Sequence, residues 1–236
     1  MSVTEQLDEL LDGYARIMPA LSAAEVRIAV ALWRLLAEGE PVPVGALADR
    51  LGDAAGDVTA AVDGVLAGSC QRDERGDIVA FWGLALPQLA SPHQLAVHGR
   101  VLGAWCAPDT LWLPRVLDAT VAVTSPLHGT DETISLVVGP DGLRDISVDG
   151  AVVSFVRPVG TTVGEAVPAI LSSNCHHQMF FASAAARPPL GAHRAARRHS
   201  RVRRRAGRGR CAAVHRHRPG SGPAAPVTEL LGEDER

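Results

Sequence analysis

Residues 121–157 read VAVTSPLHGTDETISLVVGPDGLRDISVDGAVVSFVR, and this stretch decides the fold class. Short runs of alternating β-branched residues predict strands at Val121–Ser125, Thr133–Val138, Leu143–Val148 and Val152–Arg157. Turn signals rich in Gly, Asp and Pro separate these runs, and connections this short join antiparallel neighbours. The stretch therefore predicts an antiparallel sheet, and helical patterns beside it make the fold class α+β.

The segment before this sheet has the pattern of helices followed by a hairpin. Ser22-Ala-Ala-Glu25 has the form of a capping box at a helix start. Helices are predicted at Leu7–Ile17, Val26–Leu36, Pro43–Leu51 and Val58–Leu66 from their apolar spacing. Cys70–Leu86 predicts a β-hairpin. This order is typical of a winged helix, so residues 1–86 are predicted to form a winged-helix-like N-terminal domain.

A winged helix often binds DNA by placing the second helix of its pair in the major groove. The corresponding segment here, Asp53–Gly68, contains three Asp residues and no Arg. Because neutralisation of phosphates supplies most of the non-specific affinity for DNA, an acidic surface would be repelled. We therefore expect a structural or lid role for this domain and do not expect nucleic acid as a partner.

Pro87–Pro92 is predicted to be a linker between two domains. Residues 93–186 are predicted to form the catalytic α+β domain, which contains the antiparallel sheet and its flanking helices. Its first elements are predicted to be a strand at Val97–Leu102 and a helix at Trp105–Leu117.

Charge divides the chain sharply, although the net charge is only −3. Residues 1–186 contain 10 Arg and 22 acidic residues, a net of −12, whereas residues 187–218 contain 12 Arg and no acidic residue, a net of +12. The basic block has no apolar periodicity and cannot bury enough surface to offset its ordering entropy. Residues 187–236 are therefore predicted to be an Arg-rich, disordered tail.

The cysteines and the N-terminal residues suggest a cellular location. Four Cys residues are too few and too scattered for a disulfide scaffold, so free thiols are expected. No apolar run approaches the ~20 residues of a membrane span, and Met1–Glu5 lacks the basic patch and apolar stretch of a signal peptide. We expect a cytoplasmic protein without a membrane partner.

Cys106-Ala-Pro-Asp109 is the first candidate site for chemistry. Pro108 suits a first helical turn, which would place Cys106 near a helix N-terminus, where the dipole lowers the pKa of a thiol. Asp109 lies about one turn further on and can face the sulfur. Because like charges raise each other's pKa, the pair would keep one proton for use by a general acid. From spacing alone, however, a buried core cysteine beside a helix-starting aspartate is the favoured interpretation.

Cys175-His176-His177 is the second candidate. Thiolates and imidazoles bind zinc and copper, but no Cys-x-x-Cys or His-x-x-x-His spacing accompanies these residues. In a strand, His176 and His177 would point to opposite faces and could not both join Cys175 at one centre. We therefore favour a structural role for the two histidines.

Several segments in order resemble one enzyme family. Residues 104–114, AWCAPDTLWLP, resemble the active-site segment of the organomercurial (alkylmercury) lyases. The resemblance continues through residues 133–140, TISLVVGP, and residues 150–158, GAVVSFVRP. It resumes at residues 174–183, NCHHQMFFAS, where the family has its second reactive cysteine. With the N-terminal helices, which resemble the family's winged-helix-like first domain, the resemblance covers about residues 5–185.

The resemblance implies that Cys106, Cys175 and Asp109 form the mercury site: the cysteines bind the mercury of an organomercurial cation, R–Hg⁺, and Asp109, also at the metal, moves protons. The implied reaction is protonolytic cleavage of the carbon–mercury bond, which gives a hydrocarbon and Hg(II) in mercury detoxification. No organic cofactor is implied, and small thiols or a mercuric reductase would accept the Hg(II). Trp105 and Phe180 are candidates to enclose the organic group, or to serve only as core residues.

The chain departs from the family pattern in two places. His176 stands where some members have an extra cysteine. After Ser183 the family continues with an apolar stretch and a helix, whereas this chain has the Arg block, whose composition is that of a GC-rich gene read in a shifted frame. A frameshift is thus a hypothesis that the coding DNA would test.

Two other classes of function stay open at this point. A protein of the same fold could bind mercury or copper without cleaving any bond, and an Arg-tailed protein with a winged-helix domain could bind nucleic acid. Asp109 distinguishes the lyase from the metal-binding protein, because a protein that only binds the metal needs no proton donor.

Overall fold

A computed structural model describes residues 19–156, 171–172 and 174–186, and the backbone of 210–212. The helices are α1 Ala23–Leu36, α2 Val44–Leu51, α3 Ala55–Asp63 and α4 Asp109–Val116. The strands are β1 Cys70–Arg72, β2 Ile78–Phe81, β3 Leu84–Ala85, β4 His93–Val97, β5 Arg100–Ala104, β6 Val121–Pro126, β7 Thr133–Gly139, β8 Gly142–Ile146, β9 Val152–Phe155, β10 Phe180–Phe181 and β11 Arg210–Ala212.

The strands form two sheets. The larger has eight strands in the order β1-β2-β3-β5-β4-β6-β7-β8, and each neighbouring pair in it is antiparallel. The smaller has the order β10-β9-β11 and is also antiparallel. The predicted α+β class with an antiparallel sheet is confirmed, and strands β6 to β9 lie where β-branched alternation placed them.

The predicted strand at Val97–Leu102 is wrong, because a hairpin turn lies in its middle. Strand β4 ends at Val97 and β5 begins at Arg100, which is the register partner of Val97. The two residues between them, His98 and Gly99, both have positive φ, 51° and 75°. That conformation is typical of the tight turns that join twisted antiparallel strands, and His is among the side chains that tolerate it.

Helix α4 is shorter than the predicted helix at Trp105–Leu117. It begins at Asp109, with Pro108 in the capping position, so Trp105 to Ala107 form a loop between β5 and the helix. This difference matters for the site, because Cys106 lies in the loop and its side chain can turn back toward the helix start.

The N-terminal helices lie close to their predicted positions. Helix α1 begins with the predicted capping box: Glu25 N–H donates to Ser22 Oγ at 3.3 Å, and Ser22 N–H donates to Glu25 Oε2 at 2.6 Å. Helix α3 ends at Asp63, before Gly64, rather than at Leu66. The predicted helix at Leu7–Ile17 lies outside the described residues.

One apolar core connects the N-terminal helices to the sheet. Leu32 of α1, Phe81 of β2, Leu95 of β4 and Phe180 of β10 all belong to it and are buried. Strand β2 pairs with β3, and β3 pairs with β5. The eight-stranded sheet therefore contains strands from both sides of the predicted boundary between residues 86 and 93. The division into domains 1–86 and 93–186 stays a prediction about folding units.

Within the described part of the chain, no helix is long and apolar enough to cross a membrane. Of the predicted tail 187–236, the described residues are Arg210–Ala212, which form β11 beside β9. The rest of that prediction falls on residues outside the description.

A buried histidine makes stability depend on pH. His93 is 1% exposed, its Nδ1 lies 2.5 Å from Ser125 Oγ, and burial lowers its pKa from 6.5 to about 4. Between these pH values the unfolded chain binds a proton at His93 and the folded protein does not. The free energy of unfolding therefore falls as the pH drops from 6.5 toward 4.

We expect His93→Gln to remove up to about 3 kcal/mol of this fall in the free energy of unfolding. Urea unfolding of both proteins from pH 7 to pH 4.5 measures it, and parallel stability profiles would contradict the assignment.

Candidate functional site

Cys106 and Asp109 form the first half of the site. The Cys106 thiol donates to Asp109 Oδ2 at 3.0 Å, and the Cys106 N–H donates to the same oxygen at 3.0 Å. The turn that brings them together closes with a hydrogen bond from Asp109 N–H to Cys106 O at 3.2 Å. The sequence prediction that Asp109 faces the sulfur from one turn away is confirmed.

Cys175 forms the second half, and it comes from a segment nearly seventy residues further along the chain. It begins a short 3₁₀ turn, Cys175–His177, and the strand-like residue after that turn binds the Cys106 loop: Ala107 N–H donates to Gln178 O at 3.2 Å. The Gln178 side chain donates to Asn174 Oδ1 at 2.9 Å, which closes the turn. One backbone hydrogen bond between the two segments thus brings the Cys175 turn to the Cys106 loop.

The ligand atoms of Cys106, Asp109 and Cys175 all lie within 4.8 Å of one another. Among the described residues this is the one group of three or more acidic, His or Cys side chains close enough to hold a metal ion. Both cysteines are free thiols and buried, 3% and 5% exposed. The three residues predicted from sequence to form one site are therefore brought together.

The pKa of the Cys106 thiol is raised well above its ordinary value. Burial is the main cause, and the neighbouring Cys175 thiol and Asp109 carboxyl act in the same direction. The prediction that a helix N-terminus lowers this pKa is wrong, since the helix begins three residues later and the desolvation of the sulfur dominates. The raised pKa favours the protonated Cys106 thiol in the free protein.

The pKa of Asp109 is also raised, mainly by burial of its carboxyl, while hydrogen bonds from Cys106 and Trp112 act to lower it. The carboxyl is buried although the residue as a whole keeps some exposed surface. A carboxyl with a raised pKa takes up a proton more readily than one in water and holds it at higher pH, which is the property that a general acid needs.

Two further residues complete the surroundings of Asp109, and the sequence reasoning missed both. Trp112 Nε1–H donates to Asp109 Oδ1 at 3.0 Å. Gly83, with φ of 91°, lies so close that a Cβ there would be 2.8 Å from Asp109 Cγ and 3.1 Å from Trp112 Cζ2. The i, i+3 spacing of Asp109 and Trp112 was a usable signal, whereas the contact with Gly83 depends on tertiary structure.

The thiols lie in an apolar cluster of their own. Ala80, Ala85 and Trp105 are buried with Cys106 and Cys175, and Leu89 and Leu171 pack against them. Trp105 is thus close to the sulfurs, whereas Phe180 belongs to the main core.

The other candidate residues do not join the site. Residues 175–177 form a 3₁₀ turn rather than a strand, and neither His176 nor His177 belongs to the three-residue cluster. Cys70 is partly buried on β1, and burial raises its pKa to about 12. Cys211 lies on β11 opposite Ser154, where the backbone alone is described.

Comparison with known proteins identifies one family. A family model described as "MerB: Alkylmercury lyase" matches residues 87–200. The alkylmercury lyase of Pseudomonas putida is 36% identical over 154 residues, which are 65% of this chain and 68% of the relative. That of Staphylococcus epidermidis is 36% identical over 155 residues, which are 66% and 67% of the two chains.

Two more matches agree with these. The alkylmercury lyase of Streptomyces lividans is 37% identical over 159 residues, which are 64% of this chain and 67% of the relative. The solved mercury-bound form of MerB2 superposes with a TM-score of 0.62, covers 87% of this chain and 92% of its own, and is 24% identical. At that identity the likeness concerns the fold.

Gly83→Ala tests the close approach to Asp109. We expect it to lose about 1–2 kcal/mol of stability from the positive φ, and roughly 1–3 kcal/mol more from the Cβ contact. Gly76→Ala is the matched control, because Gly76 has φ of 87° and open space around its Cβ position. Chemical denaturation compares the two variants, and equal losses would contradict the contact.

Proposed function

The chain belongs to the alkylmercury lyase family, and on that premise we propose that it is an enzyme that cleaves the carbon–mercury bond of organomercurial cations, R–Hg⁺. The products are a hydrocarbon and Hg(II), and the role is mercury detoxification. The observation that carries the mechanism is the cluster of Cys106, Cys175 and Asp109, with ligand atoms within 4.8 Å of one another.

In the first step, mercury binds sulfur and displaces its proton. Asp109 Oδ2, 3.0 Å from Cys106 Sγ, is placed to accept that proton as the S–Hg bond forms. Mercury(II) is a soft cation that prefers thiolates, so the metal replaces the proton on a sulfur whose thiolate burial otherwise disfavours. The products of this step are Cys–S–Hg–R and a protonated Asp109.

In the second step, the other thiol of the pair binds the mercury and loses its proton to solvent. Two thiolates load electron density onto the metal, which weakens the Hg–C bond and makes the carbon more basic. Asp109 then gives its proton to that carbon as the Hg–C electron pair leaves the metal. In sum, two thiols and R–Hg⁺ become a dithiolate-bound Hg(II), R–H and one proton.

The apolar surroundings of the thiols fit the organic half of the substrate. Trp105 is buried in one cluster with both cysteines, and Leu89 packs against that cluster. We assign the enclosure of R to this cluster, and we assign a core role to Phe180, which belongs to the main core.

The reaction uses side chains of this chain and needs no organic cofactor. Hg(II) on two thiolates leaves by exchange with other thiols, so a small thiol or a mercuric reductase is the acceptor that the chemistry requires. Because both cysteines must stay reduced, the cytoplasm is the location that suits the reaction.

We also propose that the first three helices and the β1–β2 hairpin form a winged-helix-like unit with a structural role. Its support is the order of the elements and the contribution of α1 to the main core. Asp53, Asp57 and Asp63 on and beside α3 argue against a DNA-binding surface there.

Release of benzene from phenylmercury tests the function. Purified protein with phenylmercury and excess small thiol is expected to form benzene and Hg(II), measured by gas chromatography. Mercury that stays bound with its phenyl group intact would instead identify a protein that binds organomercurials without cleaving them.

Variants of Asp109 test the proton step. Asp109→Ala and the isosteric Asp109→Asn are expected to bind Hg(II) as the wild type does, because the thiols remain, but to release benzene at least about 100-fold more slowly. Asp118→Ala, on the exposed residue after α4, is the control. Unchanged turnover in the Asp109 variants would refute the mechanism.

Variants of the cysteines test the metal-binding step. Cys106→Ser and Cys175→Ser each leave one thiolate, so both are expected to lose tight Hg(II) binding and benzene release together. Cys70→Ser removes a thiol outside the cluster and should retain both Hg(II) binding and benzene release. Equilibrium dialysis against a competing thiol measures the binding, and gas chromatography measures the benzene.

A further inference from the structure

We propose that Trp112 is a positioning residue, which holds the Asp109 carboxyl with Oδ2 toward Cys106 so that the proton is delivered from that oxygen. The inference rests on the proposed cleavage reaction and adds to it a residue outside the thiol–carboxyl cluster.

The two oxygens of the Asp109 carboxyl have different partners. Oδ2 accepts from both the thiol and the N–H of Cys106, at 3.0 Å each. Oδ1 accepts from Trp112 Nε1–H at 3.0 Å. Both oxygens of the carboxyl are therefore hydrogen-bonded, and rotation about the Cβ–Cγ bond would break all of these contacts at once.

An indole N–H can only donate and does not exchange its proton with a carboxyl. Oδ1 faces this donor alone, so it has no partner with which to exchange a proton. Oδ2 also accepts from an N–H, that of Cys106, but it is the oxygen hydrogen-bonded to the exchangeable thiol proton. By holding Oδ1, the indole keeps Oδ2 as the oxygen that acts.

The Trp112 ring is itself fixed from two sides. The Trp33 ring of α1 packs edge-on against it, with ring centroids 5.4 Å apart and planes at 74°. Trp33 is anchored by a hydrogen bond from its Nε1–H to Trp82 O at 3.1 Å. On the other side the Gly83 backbone leaves no room for a Cβ beside Trp112 or Asp109.

This arrangement gives the N-terminal helices a part in the chemistry without contact with the substrate. Asp109 and Trp112 lie one turn apart on α4 and move as a unit, and the Trp33 contact connects that unit to α1. Loss of the indole N–H would free Oδ1 and let the carboxyl turn away from Cys106. Mercury binding would continue, because both thiols are unaffected.

Trp112→Phe removes the N–H donor while keeping an aromatic ring at the position. Trp82→Phe is the matched control, because Trp82 belongs to the same aromatic cluster and packs against Trp33 and Phe81 rather than against Asp109. With enzyme in excess over phenylmercury, we expect Trp112→Phe to form benzene roughly tenfold more slowly, the usual effect of losing a group that orients a reacting one. Trp82→Phe should keep the wild-type rate, and both variants should bind Hg(II) as the wild type does.

The NMR signals of the indole N–H groups of the four tryptophans provide a readout that does not depend on activity. The signal that disappears in Trp112→Phe belongs to Trp112, and it should move upfield in Asp109→Ala, which removes the acceptor. A Trp112 signal that does not respond to Asp109→Ala would overturn the proposal.

The kinetic outcomes separate this inference from the function on which it rests. A normal wild type with an unimpaired Trp112→Phe, or equal losses in Trp112→Phe and Trp82→Phe, would overturn the positioning role alone. A wild type that forms no benzene would overturn the proposed function and, with it, the role in proton delivery.

Discussion

The buried hydrogen bond between Cys106 Sγ and Asp109 Oδ2, 3.0 Å long, is the interaction on which the rest of the site depends. Burial raises the pKa of both groups, so the thiol holds its proton more firmly, and the carboxylate accepts a proton more readily, than either would in water. A soft cation changes that balance, because a metal–thiolate bond takes the place of the sulfur proton. In the proposed reaction, Asp109 receives the displaced proton and then gives it to the carbon of the Hg–C bond. The same burial disfavours a charged Cys106 thiolate in the free protein.

The scaffold meets this constraint by joining distant segments at one end of the eight-stranded sheet. Trp105 N–H donates to Gly83 O at 2.9 Å, which holds the Cys106 loop against the β2–β3 turn. Ala107 N–H donates to Gln178 O, which brings the Cys175 turn to the same loop. Backbone hydrogen bonds thus place all the reacting side chains, and they tolerate changes in neighbouring side chains better than side-chain contacts would.

The N-terminal helices belong to the same physical unit as the site. Helix α1 shares the main core with the sheet, and its Trp33 packs edge-on against Trp112. A winged-helix pattern in a sequence suggests nucleic acid, whereas the role that we propose here is a supporting one, because the segment around α3 is acidic and α1 packs in the main core. The fold of a domain and the chemistry of a site are inferred separately, and each inference must rest on the residues that bear on it.

The sequence by itself determined the local features: the capping box of α1, the antiparallel strands from Val121 to Phe155, and the one-turn spacing of Cys106 and Asp109. Each depends on residues within a few positions of one another. Cys175 entered the site from sequence through the family resemblance, since spacing alone cannot bring it to Cys106. Only the tertiary structure decided the direction of the Cys106 pKa shift and the enclosure of Asp109 by Gly83 and Trp112. Desolvation and close backbone approach depend on what packs around a group, which local pattern does not specify.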